Sequence, residues 1–141
     1  MKLKVSRTDV WAAPLEDRPG GLADKLAALA QGGANLEFII ARRTPERSGQ
    51  GVVFVTPLKG AKQVKAAEGA GFSRTSSLHS LRAEGVDKRG EGAKLAGAVA
   101  DAGINLRGVS AAAFGKRFVC HLALDSAGDA AKAAAVLKKL K

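Results

Sequence analysis

The chain has 141 residues, 46% of them hydrophobic and 26% charged, with a formal net charge of +10, so it is long enough for one ordinary domain or two small ones of about 70 residues. No apolar run approaches the roughly 20 residues that cross a bilayer, and Met1-Lys2-Leu3-Lys4-Val5 lacks the apolar stretch of a secretory signal, so a soluble cytoplasmic protein is expected. The charge is spread evenly, 12 Lys/Arg against 7 Asp/Glu up to residue 75 and 11 against 6 beyond it, which excludes a segregated basic arm.

A first strand that includes Trp11 precedes a helix over Gly21 to Gln31, where Leu22, Leu26 and Leu29 recur at i, i+4 and i+7. Gly32-Gly33 ends it. Asn35 to Ala41 and Val52 to Val55 read as two strands of a hairpin, joined by the turn chemistry of Pro45 to Gly51. Pro57 closes the second strand, Lys59 to Glu68 reads as a helix, and Gly69-Ala70-Gly71 breaks it. The same order then recurs: strand Leu78 to Glu84, helix Gly92 to Ala102, strands Leu106 to Ala113 and Phe118 to Leu124, and a helix from Ala127 to Leu140 with lysines in its last turn.

Residues as well as elements repeat. Asp17-Arg18-Pro19-Gly20 matches Asp87-Lys88-Arg89-Gly90, and Gly33-Ala34-Asn35-Leu36 matches Gly103-Ile104-Asn105-Leu106, both 70 positions apart. The expected division is therefore one module over 1–75 and a second over 76–141. Val5-Ser6-Arg7-Thr8 also resembles Phe72-Ser73-Arg74-Thr75, 67 positions on. The second module ends on a helix, so Leu3 and Val5 are predicted to lie on an N-terminal strand that completes its sheet.

Leu15-Glu16-Asp17-Arg18-Pro19-Gly20-Gly21-Leu22-Ala23, followed by Leu26, Leu29-Ala30 and Gly33-Ala34-Asn35-Leu36, resembles an ACT domain, a module that senses amino acids. The resemblance implies an α+β chain of two tandem ferredoxin-like βαββαβ modules, with antiparallel sheets and helices on one face. It also implies an effector held between two modules by the first loop of one and a strand of its neighbour. On that pattern the ligand-binding candidates are Leu15, Asp17, Gly20, Gly21, Leu22, Asn35 and Leu36 in the first copy. Asp87, Gly90, Gly92 and Asn105 are their counterparts in the second.

Physical chemistry suits those residues to the task. Pro19 fixes the backbone and Gly20-Gly21 remove side chains, so amides at the start of the helix can approach a carboxylate. Asp17 can cap that helix or accept from an ammonium group, and Asn35 offers a donor and an acceptor; together they are expected to hold both ends of an amino acid. The second copy departs from the pattern, with Arg89 for the proline, Glu91 for a glycine and Gly92 for the leucine. A carboxylate at Glu91 repels an anion, so unequal sites are expected.

Other chemistry fits less well. Gly90-Glu91-Gly92-Ala93-Lys94-Leu95 ends in leucine where a dinucleotide loop needs glycine or alanine, and Gly115-Lys116 is followed by Arg117 instead of Ser or Thr. Gly115-Lys116-Arg117-Phe118-Val119 faintly resembles an RNA-binding stretch, but five phenylalanines, one tryptophan and no tyrosine give few stacking groups. His79 and His121 read as sheet residues, Trp11 as core, and Cys120, the lone cysteine, as a small strand residue. No catalytic residue, metal site or cofactor is expected. The sequence is expected to encode a regulatory sensor of an amino acid or similar effector. A homodimer that acts on an enzyme, transporter or regulator is expected, its modules pairing side by side or face to face. The rival readings are a dimerisation or protein-interaction module without ligand and a basic nucleic-acid binder.

Overall fold

A computed structural model describes residues 3–75 and 78–140. In chain order the elements are β1 (Lys4–Thr8), β2 (Trp11–Glu16), α1 (Gly21–Gln31), β3 (Phe38–Arg43), β4 (Gln50–Thr56), α2 (Gly60–Gly69) and β5 (Ser73–Arg74). Then follow β6 (His79–Val86), α3 (Glu91–Asp101), β7 (Gly108–Phe114), β8 (Arg117–Leu124) and α4 (Ala127–Lys138). They form two antiparallel four-stranded sheets, ordered β3-β4-β2-β5 and β1-β6-β8-β7. One compact unit is Asp9–Thr75; the other consists of β1 and everything from β6 onward.

Local sequence accounts for the elements. In β2, Trp11, Ala13 and Leu15 are buried while Pro14 and Glu16 are exposed, the alternation of a strand with one covered face. The first unit's core gathers these with Leu29, Val53, Val55, Ala67 and Phe72. At the end of α1, Ala34 N–H donates to the Leu29 carbonyl and Gly33 N–H to that of Ala30, with Gly33 at φ 89°. This is a Schellman turn, which needs a left-handed residue. Ile104 and Gly103 make the same bonds to Val99 and Ala100 after α3. The turn and the connection after it consume Asn35 to Glu37, so β3 begins at Phe38 and not at Asn35. Gly32 lets α1 and α2 approach, since a Cβ there would collide with that of Ala66.

The N-terminal strand completes the second sheet. β1 pairs antiparallel with β6, Lys4 opposite Glu84 through Thr8 opposite Ser80, and Leu3 and Val5 pack on the core of Leu81, Leu95, Val99, Leu122 and Leu137. The two suspected repeats share one register: Ser6 faces Arg82 as Ser73 faces Ala12, Arg82 being 70 positions beyond Ala12. The second unit is thus a circularly permuted copy of the first, its last strand supplied from the front of the chain.

Candidate functional site

The first loop is built by backbone bonds that leave the start of α1 open. Asp17 N–H donates to the Gly49 carbonyl, Arg18 N–H to that of Glu16, and Gly21 N–H to that of Arg18 at 3.1 Å. Gly20 stands at φ 86° as the N-cap with no side-chain cap, and Asp24 N–H returns to its carbonyl. Gly21 is therefore not a bare donor. It is buried, its amide is engaged, and it is glycine because a Cβ would collide with the Glu16 carbonyl. The amides of Gly20, Leu22 and Ala23 have no acceptor among the described residues and form the positive end of the helix.

Asp17 does not cap the helix. Its Oδ2 accepts from Arg43 Nε at 2.8 Å, tying the loop to the end of β3. Sequence reasoning also missed Arg18, whose guanidinium donates to Glu16 at 2.7 Å, to Asp24 at 3.0 Å and to the Pro19 carbonyl. Glu16 first, and Asp24 with it, raise the Arg18 pKa above its ordinary value. Carboxylates two positions before and six after an arginine across a Pro-Gly turn were the available signal.

The second loop keeps the skeleton and changes the charge. Asp87 N–H donates to the Lys116 carbonyl and Lys94 N–H to Gly90, which stands at φ 82°. Glu91, in the place of Gly21, is 8% exposed, with its carboxylate 3.9 Å from Lys94 Nζ. A resident anion therefore already sits in the first turn of α3. Gly92 is exposed, with open space where a side chain would stand.

Asn35 and the Gly20 loop do not come together within a unit. They lie at opposite ends of α1, whose 11 residues span about 16 Å at 1.5 Å per residue. Asn105 and Gly90 are separated by α3 in the same way. Asn35 and Asn105 are exposed, while Leu36 packs against the core.

A hollow of about 590 Å³ opens against the inner side of the first loop, bounded by Leu15, Glu16, Arg18, Gly21, Lys25 and Ala70 among others; Asn35 is not part of its lining. Cys120 and Phe118 are buried in the second core, so this phenylalanine presents no ring for base stacking. Among the described residues no group of His, Cys, Asp and Glu is placed to hold a metal ion, and no helix is long and apolar enough to cross a membrane.

No protein-family model and no curated protein matches the chain. Among solved structures it is similar to the ligand-free regulatory subunit of aspartate kinase from Thermus thermophilus, at 21% identity over 97% of this chain and 95% of that one, with a TM-score of 0.67. Protein BT0572 from Bacteroides thetaiotaomicron matches at 16% identity, 96% and 99% coverage and a TM-score of 0.76. The regulatory subunit of aspartate kinase from Thermus flavus matches at 19%, 97% and 95%, and 0.64. The fold is that of a small tandem ACT-type protein, two ferredoxin-like βαββαβ modules in one chain, and the two Thermus chains that share it are regulatory subunits.

Proposed function

We propose that this protein is a non-catalytic regulatory subunit that binds an amino acid at the first turn of α1 and passes the binding on to a separate enzyme in the cytoplasm. The observation that carries the reading is the uncapped start of α1, where Gly20, Leu22 and Ala23 present three amides to an incoming carboxylate. Leu15, Asp17 and Gly21 shape and hold that turn. Asn35 and Leu36 lie a helix length away from that turn and take no part in the grip within the unit. The Asp87, Gly90, Gly92 and Asn105 counterparts form the weaker site, since Glu91 already supplies a negative charge there.

Homodimerisation fits the same picture. The large apolar residues exposed among the described ones are Ile39, Ile40, Val109 and Phe114. All four lie on β3 and β7, the strands that end their sheets with one unpaired side.

Thermal denaturation against the proteinogenic amino acids tests the binding. One of them raises the melting temperature in a concentration-dependent way. Ala23→Glu, which puts a carboxylate on the open turn, raises the melting temperature of the free protein and abolishes the ligand's effect. An unchanged ligand effect in that variant would remove the loop from the account.

A further inference from the structure

We infer that the loop end of the second unit, where the connection from β6 to α3 meets the turn between β7 and β8, is a binding surface for single-stranded nucleic acid. This surface is independent of the effector reading above.

Charge divides differently by packing than by position in the chain. With residues 1–8 counted in the unit they pack into, the second unit holds 14 Lys/Arg against 6 Asp/Glu, and the Asp9–Thr75 unit holds 9 against 7. Most of the net positive charge therefore belongs to one small fold.

The skeleton that the two copies share shows where that charge is placed. Asp17 N–H donates to the Gly49 carbonyl as Asp87 N–H donates to that of Lys116, and Glu16 faces Gln50 as Val86 faces Arg117. At this end the first copy has Glu16, Arg18, Pro19, Asp24, Gly49 and Gln50. At the same positions the second has Val86, Lys88, Arg89, Lys94, Lys116 and Arg117. The two carboxylates that hold Arg18 are replaced by a valine and a lysine around Lys88, and three uncharged positions become cations. Two carboxylates are gained as well, Glu84 for Pro14 and Glu91 for Gly21, and both are held. Glu84 accepts from Arg82 and Arg117, and the buried Glu91 lies 3.9 Å from Lys94 Nζ. Asp87 is exposed, but Asp17 stands in its place in the first copy, so it does not alter the difference. Lys88, Arg89 and Lys116 are exposed, and among the described residues none of them pairs with a carboxylate.

Spacing and one aromatic ring select the kind of anion. Cross-strand partners share a face, so Lys4, opposite Glu84, and Phe114, opposite Arg117, lie on the same side of the sheet as Arg117. β1 and β7 are three strand spacings apart, about 14 Å. One small anion cannot bridge that distance, whereas a chain of phosphates can. Phe114 is 56% exposed, on the strand beside Arg117. An unpaired base can stack on its ring while the phosphates on either side meet the lysines and arginines. An acidic protein segment offers no base, and a duplex keeps its bases stacked inside.

The test is fluorescence anisotropy of the full chain with a labelled oligothymidylate of about 15 nucleotides, with the matching duplex and a polyglutamate of equal charge as controls. The single strand is expected to bind at low salt, with log K falling against log salt at a slope of about −3, as for about four to five phosphate contacts. Arg89→Gln with Lys116→Gln should weaken binding about tenfold and make the slope shallower by about 1.4. Arg42→Gln with Arg47→Gln removes the same charge from the first unit and should leave binding nearly unchanged. Phe114→Leu keeps an apolar side chain on β7 but loses the ring, and should weaken binding about tenfold. No binding at low salt, equal binding of polyglutamate or duplex, equal losses from the two charge pairs, or no effect of Phe114→Leu overturns the inference.

Discussion

Gly21 and Gly92 look alike in the sequence and stand in opposite situations. A Cβ on Gly21 has nowhere to go but into the Glu16 carbonyl, whereas one on Gly92 meets open space inside a helix. Gly21→Ala is expected to cost roughly 1–3 kcal/mol through overpacking. Gly92→Ala is expected to stabilise by about 0.5–1 kcal/mol, because it removes freedom from the unfolded chain; denaturant titration reads both. Cys120 is another residue whose surroundings decide its chemistry. Burial pushes its thiol from 9.0 up to about 11. Between those values the unfolded chain has lost the proton and the folded chain keeps it. Stability therefore falls as pH rises through that window and levels off above it. Cys120→Ala should lack that component, and a thiol reagent at neutral pH should label the wild type only as fast as it unfolds. Glu84 works in the opposite direction: hydrogen bonds from Arg82 and then Arg117 hold its carboxyl below the ordinary range. That contribution is present above the ordinary carboxylate value and is lost as pH falls through the lowered one. Glu84→Gln should flatten the acid limb and cost about 1 kcal/mol at neutral pH.

Among the elements, the strands that need a partner from far along the chain carry the consequences. β1 belongs by sequence to the front of the chain and by packing to its second half, and the Ser-Arg-Thr match at residues 6–8 and 73–75 makes this legible in the sequence. Val5 sits opposite Ala83 and packs on the second core. Val5→Ser should cost about 1–2 kcal/mol and speed amide exchange along β6. Helix α1 was legible to the residue, since Leu22, Leu26 and Leu29 mark its inner face and Gly32-Gly33 its end. Its length also explains why the candidate site was only half legible. Adjacency to a glycine turn is a property of the chain, so the Gly20 loop could be found from the sequence. That Asn35 lies at the far end of the same helix is a property of space. The pairing of Arg43 with Asp17 spans 26 positions with no periodic pattern to announce it. The exposed edges give an element-scale expectation too: replacing Val109 and Phe114 by lysine should leave the sheet intact and reduce any dimer seen by light scattering to monomer.

For the molecule as a whole, two copies of one plan have diverged at the first helix start and along the sheet edge. The first copy has an empty helix start, a glycine forced by the Glu16 carbonyl and a sheet edge left bare beyond Ala12. The second has Glu91 in its helix start and β1 along its edge. On the proposed reading, effector binding is concentrated in the Asp9–Thr75 unit. A ligand that binds only the folded state must stabilise it by an amount set by its concentration relative to Kd, so binding is measurable through stability alone. The most direct measurement is an amide spectrum of the whole protein titrated with each amino acid in turn. One of them should move the Gly20, Leu22 and Ala23 resonances in a saturable way while Gly90 and Glu91 move little. If no amino acid moves these resonances at millimolar concentration, or if the Gly90 loop responds as strongly as the Gly20 loop, the open turn of α1 is not the sensing site.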